Sequence, residues 1–251
     1  MKTYEVEVSF RERFGDHVLL RYRWPREPPE PGKFVMARVA TSAVTLDPFL
    51  FRPFFAHDYV DGELSLLFEV RGRGTTLLAD EDAMLLVSAP LGRGFDLRVG
   101  GPVALVGGGV WVSPLKLLSR RLREAGILHD VFLELPGTVP KAYAEWIREN
   151  YPAAILVPTD GSDSSPQGVL SSIGDLTRYR AVYASGPTGM LDEVKRASAN
   201  AVPAQLALRE QMACASGSCY GCAVPIWESG AEAYARACVE GPVFPAEALA
   251  W

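Results

Sequence analysis

Residues 214–222 read Cys-Ala-Ser-Gly-Ser-Cys-Tyr-Gly-Cys, and a fourth cysteine, Cys238, follows after a gap of fifteen residues. This is the C-x4-C-x2-C…C spacing of plant-type 2Fe-2S sites. The residues between the cysteines are small, so the backbone can wrap around a cluster and direct N–H groups at its sulfurs. The sequence therefore predicts a 2Fe-2S cluster on Cys214, Cys219, Cys222 and Cys238.

A structural zinc ion on the same four cysteines is the alternative. Zinc ribbons usually present two C-x2–4-C knuckles, whereas here three candidate ligands come from one loop and the fourth stands alone. In a reducing compartment, cysteines gathered in the last 38 residues are more plausible as metal ligands than as disulfides. The pattern favours iron–sulfur and leaves zinc open.

The chain divides into three stretches that differ in their pattern of apolar, glycine and proline residues, which predicts a multidomain protein. Residues 1–99 contain short strands separated by Pro- and Gly-rich turns, the pattern of an N-terminal antiparallel β-barrel. In residues 100–204, apolar strands alternate with helical segments, which predicts a central α/β domain with a parallel sheet and crossover helices. Its glycine triplet, Gly107-Gly108-Gly109, makes it the candidate nucleotide-binding domain. Residues 205–251 have too few apolar residues for a core of their own, so we expect a small module held together by its cluster.

The individual elements follow from the same patterns. The strands predicted in the barrel are Tyr4–Phe10, His17–Tyr22, Lys33–Val39, Leu64–Val70 and Met84–Ser88. The strands predicted in the central domain are Val103–Val106, Asp130–Leu135, Ala154–Val157 and Ala181–Ala184, with helices over Pro114–Ala125, Ala142–Asn150 and Gly189–Ser198.

The composition narrows the class of protein. The formal net charge is −5 and no basic stripe is interleaved with aromatic residues, so we expect no nucleic-acid partner. The longest apolar stretches fall far short of the roughly 18 residues that a membrane-spanning helix needs, and the N-terminal segment alternates like a strand rather than like a secretion signal. We therefore expect a cytoplasmic protein without membrane contact.

Two glycine-containing segments are candidates for holding phosphates. Gly107-Gly108-Gly109 lies where a strand gives way to a helix, although a tight turn without ligand gives the same pattern. Arg71-Gly72-Arg73-Gly74-Thr75-Thr76 combines flexible backbone, hydroxyls and guanidinium groups, which suits a pyrophosphate, and a solvated turn is its alternative. The three histidines form no recognisable catalytic or metal pair, so no catalytic residue is predicted.

Further motifs run through the whole chain. They are Pro31-Gly32-Lys33-Phe34-Val35-Met36, Arg52-Pro53, Gly72-Arg73-Gly74-Thr75, Pro90-Leu91-Gly92-Arg93-Gly94-Phe95, Gly107-Gly108-Gly109, Asp160-Gly161-Ser162 with Gly168, Ser185-Gly186-Pro187 with Met190-Leu191, Met212-Ala213-Cys214, and Cys238-Val239-Glu240-Gly241-Pro242-Val243-Phe244. In this order they resemble the electron-transfer subunit of the two-subunit, NAD-linked dihydroorotate dehydrogenases, a branch of the ferredoxin reductase superfamily.

The resemblance implies a function and a partner. In that family the subunit holds FAD and the cluster, and it docks on an FMN-containing dihydroorotate dehydrogenase catalytic subunit that oxidises dihydroorotate to orotate in pyrimidine biosynthesis. Electrons then pass through the cluster to FAD and on to NAD+. The implied protein is an oxidoreductase subunit that does not itself act on dihydroorotate and that works in a heterotetramer.

The resemblance also implies cofactor-binding residues. Arg52 and Pro53 are expected to contact the flavin, and Gly72, Gly74 and Thr75 its pyrophosphate. The nicotinamide nucleotide site is expected to be lined by Gly107, Gly108, Gly109, Asp160, Gly186 and Pro187. Further cofactor-binding residues implied in this way are Phe54, Phe55, Phe68, Val70 and Thr76.

The chain departs from the family's pattern at several positions. Phe54 and Phe55 stand where an aliphatic residue and a serine follow Arg-Pro, which removes a hydroxyl beside the flavin ring. Glu69 replaces a basic residue that faces the FAD phosphates and would repel them unless Arg71 or Arg73 compensates. Trp111 replaces a glycine, and Ser185 a cysteine near the nicotinamide.

These departures keep two other functions open. One is a reductase subunit of another NAD(P)H-linked oxidoreductase. The other is a cluster-bearing docking subunit that has lost nucleotide binding.

Overall fold

The computed structural model describes residues 1–40, 47–80, 84–159 and 168–251. Its first sheet is antiparallel and has seven strands: β1 (Thr3–Phe14), β2 (His17–Arg23), β3 (Phe34–Val39), β4 (Arg52–Phe55), β5 (Asp58–Val60), β6 (Glu63–Glu69) and β7 (Met84–Ser88). The strand order is β4-β3-β7-β1-β2-β6-β5. A short helix, α1 (Arg73–Leu78), follows β6.

This sheet curls into a half-barrel. Phe54 of β4 packs on Phe68 of β6, with ring centroids 5.0 Å apart, although the two strands lie near opposite ends of the strand order. The apolar residues that line the inside of the curl, such as Val18, Leu20 and Val87, are fully buried. The predicted antiparallel sheet is thus confirmed. In place of the predicted barrel, the described strands leave two edges, β4 and β5, because neither short strand pairs with the other.

The second sheet contains β8 (Val103–Gly108), β9 (His129–Pro136), β10 (Ile155–Thr159), β11 (Ala181–Ser185), β12 (Ala204–Ala207) and β15 (Val243–Pro245). Its order is β10-β9-β8-β11-β12-β15, parallel except for β15. The helices are α2 (Ser113–Glu124), α3 (Lys141–Asn150), α4 (Val169–Ile173) and α5 (Thr188–Ser198). The order reverses at β8, and ligands of such sheets bind beyond the carboxyl end of the strand at this switch point. Here that end is Gly107-Gly108-Gly109.

The cysteine-rich tail packs into the rest of the chain. Its hairpin consists of β13 (Ala223–Glu228) and β14 (Ala231–Arg236), whereas β15 extends the parallel sheet by pairing with β12. Cys222 and Cys238 are buried in the same apolar cluster as Phe34 of the first sheet. The tail therefore shares a core with both sheets, a source of cohesion that the expectation of a module held together by its cluster did not include.

Buried polar contacts fix the first sheet against the second. Asp58 of β5 accepts two hydrogen bonds from the guanidinium of Arg120 on α2, at 2.6 and 2.7 Å. The carbonyl of His57 accepts the Leu117 N–H of the same helix at 2.8 Å. These contacts hold the loop before β5 beside the start of α2. No helix in the described part of the chain is long and apolar enough to cross a membrane.

Candidate functional site

The cysteine loop is a tight turn around the Cys214 thiol. Ala215, Gly217 and Tyr220 have positive φ values of 49°, 80° and 55°, which bend the backbone inward. The N–H groups of Ser216 and Cys219 donate to Cys214 Sγ at 3.5 and 3.4 Å. The loop thus directs backbone dipoles at a sulfur, as the small residues of the sequence predict.

The four thiols occupy two environments. Hydrogen bonds from the Ser216 side chain, then from the backbone N–H groups of Ser216 and Cys219, lower the pKa of Cys214 to about 5. Burial, followed by a hydrogen bond with Cys222, raises the pKa of Cys238 to about 11. Cys214 is therefore ready to act as a thiolate ligand, whereas Cys238 needs a nearby positive charge, such as iron, to lose its proton.

The thiols also lie as two pairs. Cys214 hydrogen-bonds with Cys219, and Cys238 hydrogen-bonds with Cys222. Among the residues that the structure describes, no three Cys, His, Asp or Glu side chains converge on one metal-ion position. A cluster with two irons and four cysteine ligands takes its thiolates in pairs, so this donor set fits a 2Fe-2S cluster.

An arginine that sequence analysis did not single out supports the loop. Arg236 Nη1 donates to the Gly217 carbonyl at 3.1 Å, and its guanidinium lies 5.2 Å from the Tyr220 ring centre. Its Nε pairs with Glu240 at 3.1 Å. The signal was present in the sequence, because Arg236 and Glu240 flank Cys238 at a separation of four residues.

A cleft lies between the half-barrel, the turn after β8 and the tail. Four of the predicted cofactor-binding residues line it: Pro53, Phe54, Phe55 and Phe68. Met212 and Pro242 of the tail line it as well, and Met212 is two residues from Cys214. A planar aromatic ligand in this mostly apolar cleft would lie between the half-barrel and the cysteine loop.

The other residues predicted for FAD gather around α1, outside this cleft. Arg52 packs against Gly74, where a Cβ would lie 2.2 Å from Arg52 Nε, so a side chain at this position would displace the Arg52 guanidinium. Thr75 Oγ1 accepts the N–H groups of Arg71 and Gly72 at 2.9 and 3.1 Å. The Thr75 hydroxyl is thus already hydrogen-bonded within the segment at the start of α1. The rest of this set lies alongside: Thr76 Oγ1 donates to the Gly72 carbonyl at 3.2 Å, and the Val70 N–H donates to the Asp16 carbonyl at 2.7 Å.

The negative charge of Glu69 is compensated within the chain. Arg71 Nη2 lies 2.7 Å from Glu69 Oε2. Arg73 pairs instead with Asp47, at 2.5 Å. Of the two arginines expected to offset Glu69, Arg71 is the one that does so.

A second cleft opens at the carboxyl end of β8. Gly108, Gly109 and Pro187 line it, whereas Gly107 and Gly186 are not among its lining residues. A Cβ on Gly107 would lie 2.6 Å from Leu115 Cδ1, and one on Gly186 would lie 1.8 Å from Met190 Cε. These two glycines therefore permit strand and helix to pack closely. Asp160, predicted for the same site, lies outside the described residues.

Trp111 lies at the boundary of the two clefts. Together with Val110 and Glu69 it lines both of them. The Arg209 guanidinium lies 5.1 Å from its ring centre, a cation–π contact. The indole thus stands where a group moving from one cleft to the other would pass.

Two serines near the clefts have buried hydroxyls without a hydrogen-bond partner in the described part of the chain: Ser113 and Ser185. Ser113 lines the first cleft, and Ser185 is among the lining residues of neither cleft. Sequence analysis missed Ser113, because a serine at the start of a helix is usually read as a cap.

Comparison with known proteins identifies relatives of this chain. A family model for the iron-sulfur cluster binding domain of dihydroorotate dehydrogenase B matches residues 209–250. A curated protein of Bacillus velezensis, the dihydroorotate dehydrogenase B (NAD(+)) electron transfer subunit, is 32% identical over 261 residues, covering 100% of both chains. The protein of the same name from Bacillus caldolyticus is 34% identical over 258 residues, covering 98% of this chain and 91% of that one.

Solved structures share the fold. A chain of the NADH-dependent reduced ferredoxin-NADP oxidoreductase superposes with a TM-score of 0.78 at 26% identity, covering 98% of this chain and 90% of that one. Phthalate dioxygenase reductase superposes with a TM-score of 0.64 at 15% identity, covering 94% and 77% of the two chains. The predicted ferredoxin-reductase-like fold is thereby confirmed.

Proposed function

The chain belongs to the family of dihydroorotate dehydrogenase B (NAD(+)) electron transfer subunits, and from this membership we propose that it carries electrons from a catalytic partner through a 2Fe-2S cluster and FAD to NAD+. One observation carries the proposal. Met212, two residues before Cys214, lines the same cleft as Phe54 and Phe55. A flavin ring in that cleft would adjoin the cluster, so electrons need cross only a short stretch of protein.

The cofactors divide between the two clefts. The first receives the flavin ring against Pro53, Phe54, Phe55 and Phe68, and the Gly72–Thr76 turn with Arg52 and Val70 receives the rest of FAD. The second cleft receives NAD+ at Gly108, Gly109 and Pro187, and Gly107 and Gly186 let the neighbouring helices pack closely. Asp160, expected to contact the same nucleotide, lies outside the described residues. FAD converts between hydride exchange with NAD+ and one-electron exchange with the cluster.

The partner is the FMN-containing catalytic subunit, and the assembly is a heterotetramer. Cys219 is the most exposed of the four cysteines, which suits electron entry from outside the chain. The organisation is an FAD-binding domain over residues 1–99, an NAD-binding domain over 100–204 and a cluster module over 205–251. The cell compartment is the cytoplasm, where thiols stay reduced and available for iron.

A Cys219 variant tests the proposed cluster and its place in the electron path. Cys219→Ala in the complex with the catalytic subunit is expected to lose the cluster and keep its flavin, because Cys219 does not line the flavin cleft. Ser218→Ala, one residue away, is the matched control. Iron, acid-labile sulfide and released flavin are measured per chain. A Cys219→Ala protein with a full complement of iron and sulfide contradicts the ligand assignment.

A second candidate is a reductase subunit of another NAD(P)H-linked oxidoreductase. The likeness to the NADH-dependent reduced ferredoxin-NADP oxidoreductase over nearly the whole chain favours it. An assay with dihydroorotate as the electron donor distinguishes the two candidates. Only the first predicts that the purified complex reduces NAD+ in this assay. A flavin-free protein with an intact cluster would instead support a docking subunit without nucleotide binding.

A further inference from the structure

We propose that the Ser113 hydroxyl hydrogen-bonds to the polar edge of the flavin ring and replaces the hydroxyl that this chain lacks at Phe55. This assignment rests on the proposed function, because it requires FAD in the first cleft. It adds a flavin-positioning residue on the turn after β8, a part of the chain otherwise associated with the nicotinamide nucleotide.

The state of the Ser113 side chain is the first reason. Ser113 is only 5% exposed, and its Oγ has no hydrogen-bond partner among the described residues. Buried polar groups in proteins are nearly always paired, with protein, water or ligand. Because Ser113 lines the first cleft, the group that satisfies its hydroxyl is expected to lie in that cleft.

The opposite wall of the cleft is the second reason. Phe54 and Phe55 of β4, which line the cleft, have apolar side chains, and Pro53 has no backbone N–H. A flavin ring has polar nitrogen and oxygen atoms along one edge, and burying them without partners is unfavourable. A serine hydroxyl is one donor and two acceptors, so by rotating it can serve both the oxidised and the reduced ring.

The backbone of Ser113 is held in place from two sides. The His57 ring donates from Nδ1 to the Ser113 carbonyl at 2.9 Å, and the Tyr151 hydroxyl donates to the Val112 carbonyl at 3.3 Å. Pro114 follows and fixes the start of α2. The backbone of Ser113 is therefore fixed beside the cleft, and rotation about its Cα–Cβ bond is the movement that directs the hydroxyl toward a bound ligand.

The test compares Ser113→Ala and Ser113→Thr with wild type in the complex with the catalytic subunit. Ser198→Ala is the matched control, since Ser198 is also buried but lies at the end of α5, away from the cleft. The readouts are the dissociation constant of FAD, the visible absorption of bound flavin and the unfolding temperature with and without FAD.

Ser113→Ala is expected to weaken FAD binding by about 2- to 12-fold, the usual range for one hydrogen bond, and to shift the flavin absorption. Ser113→Thr, which keeps the hydroxyl, is expected to restore both. Without FAD, Ser113→Ala is expected to unfold at the same or a higher temperature than wild type, because an unpaired buried hydroxyl is removed. With FAD it is expected to unfold at a lower temperature.

Two results would overturn the assignment, and they differ. If wild type binds FAD and Ser113→Ala matches Ser198→Ala in affinity and absorption, the role of Ser113 is wrong while the proposed function stands. If wild type takes up no flavin, both are wrong. A Ser113→Ala protein that is destabilised equally with and without FAD would show that the hydroxyl serves folding, which also overturns the assignment.

Discussion

His57 should make the protein less stable as the pH falls from 8 to 5. The imidazole is 2% exposed and donates from Nδ1 to the Ser113 carbonyl at 2.9 Å, which selects the neutral Nδ1–H tautomer. Burial lowers the pKa of His57 to about 4, although the Ser113 carbonyl and Asp58 oppose the shift. In the unfolded chain the same group titrates near its ordinary pKa of about 6.5.

The size and sign of the effect follow from these two values. A folded pKa below the unfolded one means that the contribution of His57 is complete above about pH 6.5 and is lost as the pH falls towards 4. The full loss is ~3 kcal/mol, and ~2 kcal/mol of it falls between pH 8 and pH 5. The pKa of Asp58 is also lowered, despite its burial, by the bonded Arg120. Its contribution is lost only below about pH 4, outside this window.

Urea unfolding of wild type and His57→Gln, at pH 8 and pH 5 and in the same cofactor state, measures the effect. The variant is expected to be less stable at pH 8, because packing is lost, but its pH dependence should be smaller by ~2 kcal/mol. Other titrating groups are common to both proteins and cancel. Equal pH dependence in the two proteins, or a His57 NMR signal that titrates near pH 6.5, would refute the reasoning.

Three further substitutions test separate parts of the site. Trp111→Ala removes the indole that lies between the two clefts. The KM for NADH is expected to fall several-fold at unchanged iron content. Steady-state kinetics showing an equal or higher KM would contradict this. Gly74→Ala places a Cβ 2.2 Å from Arg52 Nε, so FAD affinity should fall by about tenfold; fluorescence titration giving the wild-type value would show that Arg52 is not needed. Arg236→Gln removes the donor to the Gly217 carbonyl and should shorten the half-life of the cluster absorbance in air, whereas an unchanged half-life would leave Arg236 without a role in the loop.

The cysteine site and the parallel sheet could be predicted because their signals are local. The spacing of the four cysteines specifies the cluster type. The strand Val103–Gly108 and the helix Ser113–Glu124 each have a regular apolar pattern along the chain. The predicted elements of the central domain agree with the observed ones to within a few residues at each end. The separation into domains stays a prediction, since the apolar cluster around Cys222 and Cys238 also includes Phe34.

Elements without periodicity were not predicted. Arg52–Phe55 is a strand because it pairs with Phe34–Val39, and Asp58–Val60 is a strand because it pairs with Glu63–Glu69. Segments of four and three residues are too short to show an alternating pattern. The sequence predicts a phosphate-binding turn over Arg71–Thr76; the structure has a helix over Arg73–Leu78, and the Thr75 hydroxyl hydrogen-bonds to Gly72 at its start. Phosphate binding by this segment stays a prediction. The burial of Ser113 and the place of Trp111 between two clefts depend on packing between distant segments, which spacing along the chain does not encode.

Electrons from dihydroorotate are expected to reach NAD+ through the cluster and FAD. To test this path, the anaerobically purified complex, wild type or Cys219→Ala, is mixed with dihydroorotate and NAD+ while NADH formation is followed. Wild type is expected to form NADH, whereas Cys219→Ala should form none but should still have its flavin reduced by added NADH. NADH formation from dihydroorotate at the wild-type rate in a Cys219→Ala complex that lacks its cluster would contradict this path.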